Sequence, residues 1–429
     1  MRGKTVKAKE ITRIEGHLDL EVIISEDKVR AKAMAREGTR ILEKVLIGRD
    51  YWEIPEIASR MCGVCNAIHK VTAVMAIENA LGIEPSPDIQ LIRELIVIGG
   101  HIQSHILHLF YFVLPDYLGT SSIINNIMRN NLEIVRDAMR VKKWANELVE
   151  RFGGRAVHPV TPVVGGLSKL PTREDVLKVL KKLKDVKNVA NRLVECLLER
   201  SFLDFPAEKN FVSLRESNDV PLLRGFVSIC GENVVSENYL SYVKCVIEEY
   251  STAPHFVLRT NESFMVGALA RLNHNHENLT ELVKELCARY NIGFPNQAVF
   301  ANNQAQALEI MHFIEKAEEI LTRFAEKNSI GAYSRSVEGK QIGIAVTEAP
   351  RGLLIHQYGI NEEGKITLAN IITPTAQNLK SIERRTEDLV KEFLTKGIDI
   401  ENLRKEIEKL VRSYDPCLSC AARFKKIQQ

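Results

Sequence analysis

The sequence predicts an α+β fold, predominantly α, in which a large helical body carries a small N-terminal β portion and short hairpins. Apolar residues three and four apart recur over most of the chain, the signature of amphipathic helices. Strand-like alternation is confined to short runs, and no repeat, low-complexity run or Pro/Gly/Ser-rich linker divides the 429 residues. The reading is one domain over 1–429, with 1–50 as its β-rich part, although length alone would allow up to about three domains.

Leu18 to Ile24 alternates apolar and polar side chains. After the turn-like Ser25-Glu-Asp-Lys28, Val29-Arg-Ala-Lys-Ala-Met34 alternates again, which predicts an antiparallel hairpin. Helical spacing then takes over across 67–81, 89–114, 123–152 and 173–200. Further helices are expected over 236–250, 278–290, 303–327, 376–395 and 400–414. Residues 343–347 and 353–358 read as strands joined by the turn Glu348-Ala-Pro-Arg-Gly352, and Asn361-Glu-Glu-Gly364 marks another hairpin turn.

Charge and apolar patterning exclude several classes of partner. With 58 basic and 55 acidic residues the net charge is +3, which gives no reason to expect nucleic acid or an anionic membrane. The charged start, Met1-Arg-Gly-Lys-Thr-Val-Lys7, runs into no apolar stretch of signal-peptide length. The most apolar run, 95–114, is interrupted by His101, Gln103, Ser104, His105 and His108. It falls short of the roughly 18 continuous apolar residues of a membrane span. A cytoplasmic protein with no transmembrane segment is expected.

Eight cysteines in so long a chain do not make a small disulfide framework. Cys196, Cys230, Cys245 and Cys287 are scattered singly and read as packing cysteines. The other four form two C-x-x-C pairs, Cys62/Cys65 and Cys417/Cys420, at opposite ends of the chain. Two such pairs can supply four thiolates to one ion, and soft thiolates select zinc, iron or nickel over magnesium or calcium. Spacing alone leaves open a structural zinc site, a redox dithiol or iron–sulfur site, and a catalytic metal.

The flanking residues bear on that choice. Arg60-Met-Cys62-Gly-Val-Cys65 and Asp415-Pro-Cys417-Leu-Ser-Cys420 are joined by four further segments in order. These are Thr12-Arg-Ile-Glu15-Gly-His17, Glu37-Gly-Thr-Arg40-Ile-Leu-Glu43 with Gly48-Arg49, Ser104-His105-Ile-Leu-His108 with Asp116, and Glu348-Ala-Pro350-Arg351-Gly352. Thr373-Pro374-Thr375-Ala-Gln-Asn378 adds another. Together they resemble the large subunit of [NiFe] hydrogenases from about residue 10 to residue 423, most of all the cytoplasmic sulfhydrogenase-type, bidirectional enzymes. The helical body would then enclose a buried metal site.

The resemblance implies a catalytic subunit that splits dihydrogen reversibly into protons and electrons. Cys62 and Cys417 would be terminal nickel ligands, and Cys65 and Cys420 would bridge to an iron carrying carbon monoxide and cyanide. Pro350 and Thr375 would line that cofactor. Glu15 matches a proton-relaying glutamate, since a carboxyl beside buried thiolates is a suitable proton carrier. Arg351 matches an arginine over the open metal face, with Asp116 as its expected electrostatic partner. His69 matches a histidine bonded to a bridging thiolate. Glu43 and the carbonyl near Ile371 match magnesium ligands, but Arg423 stands where a ligating histidine is common and cannot bind a cation. Residues 424–429 match a tail that a dedicated protease removes after Arg423.

The spare cysteines are too dispersed to hold an iron–sulfur relay. A partner small subunit carrying iron–sulfur clusters is therefore implied, with nickel chaperones for maturation and NAD(P)-reducing or other electron-transfer subunits beyond it in a heteromeric complex. This chain shows no G-x-G-x-x-G opening a βαβ unit. Other acceptors, a heterodisulfide reductase, a deazaflavin or the peripheral arm of a membrane complex, are alternatives. A non-catalytic zinc protein is the alternative from another class.

Overall fold

The computed structural model describes residues 4–8, 10–25, 28–36, 42–120, 132–397 and 399–421, with the side chains of 4–7 outside that set. Glu37 to Arg40, the first part of the helix expected from 123, Arg423 and the 424–429 tail lie outside the described residues.

The expected hairpin forms with Leu20 opposite Ala33 and Val22 opposite Ala31, so each strand turns one apolar face inward. Lys4–Ala8 adds a third strand beside Leu18–Ile24. The other edge, Val29–Ala35, is closed by side chains. Its Ala31 and Ala33 N–H groups donate to Glu387 and Glu383, and Ala35 N–H donates to Ser251 Oγ. An edge occupied in this way offers no template for a foreign strand.

Nine helices of eight or more residues are described: α1 (Asn66–Leu81), α2 (Pro87–Leu107), α3 (Leu132–Gly153), α4 (Arg173–Leu198), α5 (Ala268–Asn275), α6 (Glu281–Arg289), α7 (Ala301–Glu326), α8 (Pro374–Thr395) and α9 (Ile400–Ser413). Local chemistry sets their ends. Ser86 caps α2 ahead of Pro87, a Thr172/Asp175 capping box starts α4, and Asp399 caps α9. Gly82 ends α1 in a left-handed conformation, φ 66°, where a Cβ would meet Val337 O at 2.1 Å.

The long helices pack around α2, whose residues from Leu95 to Ile98 are fully buried. Gly99 lets α3 approach, since a Cβ there would sit 2.7 Å from Val149 Cγ2. A buried two-point ion pair, Arg93 with Glu78, ties α2 to α1 at 2.8 and 2.7 Å. The continuation of α2 over His108–Val113 winds as a wider π-helix, a feature common near functional sites. By length and composition 87–117 could cross a membrane, yet its most apolar window is 83% buried inside the protein.

Sheets are spread through the chain. Among the described residues there are six, each of two or three antiparallel strands. The molecule is α+β, with β structure well beyond the N-terminal portion. Residues 236–250 depart most from expectation: instead of one helix they form short turns at Ser236–Asn238 and Tyr239–Tyr242, then a strand, Val243–Val246. That strand pairs with His255–Leu258, because Val243-Lys-Cys-Val246 alternates and finds a partner ladder. The sheet that matters for the site is Ile342–Ala349, Gly352–Ile360 and Ile366–Ile372. It lies on α1, where a Cβ on Gly343 would be 1.9 Å from Ala76 O.

Candidate metal centre

Cys62 and Cys65 sit on the bend leading into α1, and Cys65 is its N-cap. The Val64 and Cys65 N–H groups on that bend both donate to Cys62 Sγ, at 3.3 and 3.5 Å. At the other end of the chain, Asp415 takes a left-handed φ of 49° after α9, and Cys417 forms a parallel bridge with Glu15. Glu15 N–H donates to Pro416 O at 3.3 Å, and Leu418 N–H donates to Glu15 O at 2.9 Å. This docking lays the second cysteine pair on the first. Sγ separations are 3.5 Å for Cys62–Cys417, 3.3 Å for Cys65–Cys420 and 2.9 Å for Cys417–Cys420. All four sulfurs lie within 4.8 Å of one another and all four residues are buried.

Hydrogen bonding from Cys417 and its neighbours holds the Cys65 thiol well below the usual range, while burial pushes Cys417 well above it. Four buried thiols this close cannot all ionise without a cation among them. The donor set is all sulfur, which suits nickel, iron or zinc. It fits the nickel group that the sequence implies.

Glu15 is in place beside the cluster. Cys417 Sγ donates to its Oε2 at 3.0 Å, and Ser419 N–H donates to the same oxygen at 3.1 Å. Thr375 Oγ1 accepts from Cys417 N–H at 2.8 Å. Arg351 occupies the turn between Ile342–Ala349 and Gly352–Ile360 and is buried. Burial works against its charge, but Asp415 and then the thiols of Cys417, Cys65 and Cys62 hold it protonated.

The expected pairing of Arg351 with Asp116 is not what forms. Arg351 Nε donates to Asp415 Oδ1 at 3.1 Å and to Asp415 O at 2.8 Å. Asp116 instead sits between Arg412, which reaches it at 2.7 and 3.0 Å, and Arg13. The reason is where the chain closes. Asp116 lies just past the π-helical segment, where the opening motif and the end of α9 meet, and Arg412 Nη1 also donates to Thr12 O at 3.1 Å. Asp415 was already inside the motif that carries Cys417, two residues away, which was the available signal.

The remaining expected residues are spread around this centre. His69 Nδ1 faces His356 Nε2 at 3.0 Å, and His356 Nδ1 faces Tyr358 Oη at 2.7 Å. Glu43 and Ile371 are adjacent, through the Ile371 N–H donating to Glu43 Oε1 at 2.7 Å. Sequence reasoning missed Arg271, Glu309 and their link to the Arg351 turn. Both are ordinary helical residues to a reading by motif.

A family model described as nickel-dependent hydrogenase matches 40–136 and 236–423. The alpha subunits of sulfhydrogenases 1 and 2 of Pyrococcus furiosus are 34% and 33% identical, over 96% and 98% of this chain and 96% and 100% of theirs. A crystal structure of an NAD+-reducing [NiFe]-hydrogenase in the H2-reduced state superposes with a TM-score of 0.88 at 25% identity, covering 97% of this chain and 99% of that one.

Proposed function

The chain belongs to the nickel-dependent hydrogenase family, as a large subunit that works with a small subunit in cleaving dihydrogen, and from that premise we propose how its residues divide the work. The reading rests on one observation: four cysteine sulfurs within 4.8 Å, one of them bonded to a carboxylate. The group they hold is nickel with an iron bearing carbon monoxide and cyanide; when bound, it supplies a soft, open metal face that polarises dihydrogen. Cys62 and Cys417 would hold it as terminal thiolates, and Cys65 and Cys420 would hold it as bridging ones.

The protein supplies the rest. Glu15 Oε2 takes the proton from Cys417 Sγ along their 3.0 Å contact and passes it outward. Arg351, anchored on Asp415, presents a fixed positive charge beside the thiolates. The Nη1 of that guanidinium has no hydrogen-bond partner among the described residues. Pro350 and Thr375 shape the wall, and His69 and Asp116 support the segments that carry the cysteines. Burial of all four cysteines keeps bulk water from the site.

Electrons leave through iron–sulfur clusters on the small subunit and pass to NAD(P), an acceptor that the relatives named as NAD-reducing favour. Magnesium binds at Glu43 and the Ile371 carbonyl. The whole chain acts as one domain in the cytoplasm. Nickel chaperones load it, and a protease then cleaves after Arg423; intact Gln429 in the mass spectrum of active protein would refute that cleavage.

Infrared spectroscopy and metal analysis of the complex purified with its partners test the centre directly. Carbon monoxide and cyanide bands with about one nickel per chain are expected. Zinc at the cysteines, without such bands, in a sample lacking residues 424–429 would overturn the reading.

A further inference from the structure

Away from the cysteines, one buried cation has every donor occupied. Arg271, on α5, is fully buried, as are the two carboxylates beside it, Glu309 of α7 and Glu348. Its Nε and Nη2 grip Glu309 at 2.6 and 2.7 Å, and Nη1 reaches Glu348 Oε2 at 2.9 Å. The remaining two N–H groups go to backbone carbonyls, Nη1 to Ala349 O at 2.9 Å and Nη2 to Pro350 O at 3.1 Å. Five donors meet five acceptors, the full capacity of a guanidinium. Glu309 is itself fixed from α2, where His105 Nε2 lies 2.9 Å from its Oε2.

The two carbonyls are those directly before Arg351. The same turn is pressed from a second side: a Cβ on Gly352 would meet Gly267 N at 2.6 Å, and one on Gly267 would meet Arg351 O at 3.4 Å. Gly267 and Gly352 have φ of 131° and 125°, so glycine is required at both. The start of α5 and its Arg271 therefore hold the Arg351 turn by backbone contact and by charge.

A buried cation with two carboxylates is a poor way to gain stability, because desolvating three charges offsets most of their attraction. Such a cluster is better explained by what it fixes in place. We infer that Arg271 is a positioning residue for dihydrogen cleavage, clamping the Ala349 and Pro350 carbonyls so that the Arg351 guanidinium is held over the cysteine cluster. The inference rests on Arg351 acting as proposed above. A lysine at 271 has three donors on a flexible stem and cannot reach both carbonyls and both carboxylates at once.

The test compares Arg271→Lys, Arg351→Lys and the double variant in the complex purified with its partners. For Arg271→Lys, kcat should fall by about 10- to 100-fold with little change in KM for dihydrogen. Nickel content should hold, the nickel paramagnetic-resonance spectrum should shift, and the amides of 349 and 351–353 should exchange about tenfold faster while α2 stays protected. The double variant should be no slower than Arg351→Lys alone, because both act through one group.

Unchanged exchange and spectrum in Arg271→Lys, or losses that multiply in the double variant, would overturn the inference. Full activity in Arg351→Lys would instead overturn the reading beneath it. Should Arg271→Lys not fold, Glu309→Gln loosens the same grip while keeping its shape. A smaller shift of the same kind supports the inference, and none at all refutes it.

Discussion

Cys417 donates its thiol hydrogen to Glu15 Oε2 across 3.0 Å, joining two residues 402 positions apart in the chain. The contact is held by backbone hydrogen bonds on both sides, so it survives a change of side chain. Glutamine at 15 can still accept the Ser419 N–H but cannot carry a proton. Glu15→Gln should lower dye-linked dihydrogen oxidation by about 10²- to 10³-fold while nickel content stays the same. Activity within about threefold of the parent would remove Glu15 from the proton route.

Asp116 answers two arginines from the two ends of the chain, with Arg412 almost fully buried. Removing its charge deprives Arg13 of that carboxylate and leaves Arg412 with Glu408, 3.5 Å away, at the point where α9 docks. Asp116→Ala should cost about 3–5 kcal/mol, visible as a lower unfolding midpoint and nickel loss at lower temperature. A midpoint unchanged from the parent would mean the clamp contributes nothing.

Burial pushes the Glu348 carboxyl up to about 7, with a smaller push from the charge of Glu309, against the opposing pull of Arg271 and the Leu214 N–H. Glu309, which burial would also raise, is held at about 2 by its two-point grip on the same guanidinium. The folded state therefore binds a proton at Glu348 that the unfolded chain has already lost above its ordinary range. This contribution to stability is full below the unfolded pKa and disappears as pH rises through about 7. Glu348→Gln should flatten that fall. Melting curves at pH 5.5 and 8.5, as rough bracketing points, should show the variant gaining more on the parent at the higher pH.

Cys196 and Cys287 are only half-buried, and Cys230 and Cys245 are exposed, all four away from the cluster. Serine at any of these should leave nickel content and activity unchanged. Serine at Cys62, Cys65, Cys417 or Cys420 should abolish nickel binding, because a hydroxyl is a hard, weakly acidic donor. Metal analysis of the eight variants separates the two groups.

Much of this was legible in the residues themselves. The hairpin at Leu18–Ile24 and the helices at Arg173–Leu198 and Pro374–Thr395 follow from periodicity and caps, because one face of each is buried. The cysteine pairs announced themselves by spacing and flanks. Residues 236–250 misled because a short helix and a strand in succession mimic one longer helical pattern. Asp415 was missed as the partner of Arg351 because pairing across a site depends on how the two ends of the chain meet, which no local window contains. The Arg271 cluster was hidden for the same reason: each member is unremarkable in its own helix or strand, and only packing brings them together.

The meeting of Cys62 with Cys417, 355 positions apart, has a mechanical corollary. Once one ion holds both, the stretch from Cys62 to Cys417 is a closed ring with a tail on either side. A molecule stretched between its termini would lengthen by the tails alone, hiding about 1,200 Å of contour until the metal–sulfur bonds part. The folded helices inside that ring would carry no load at all before then.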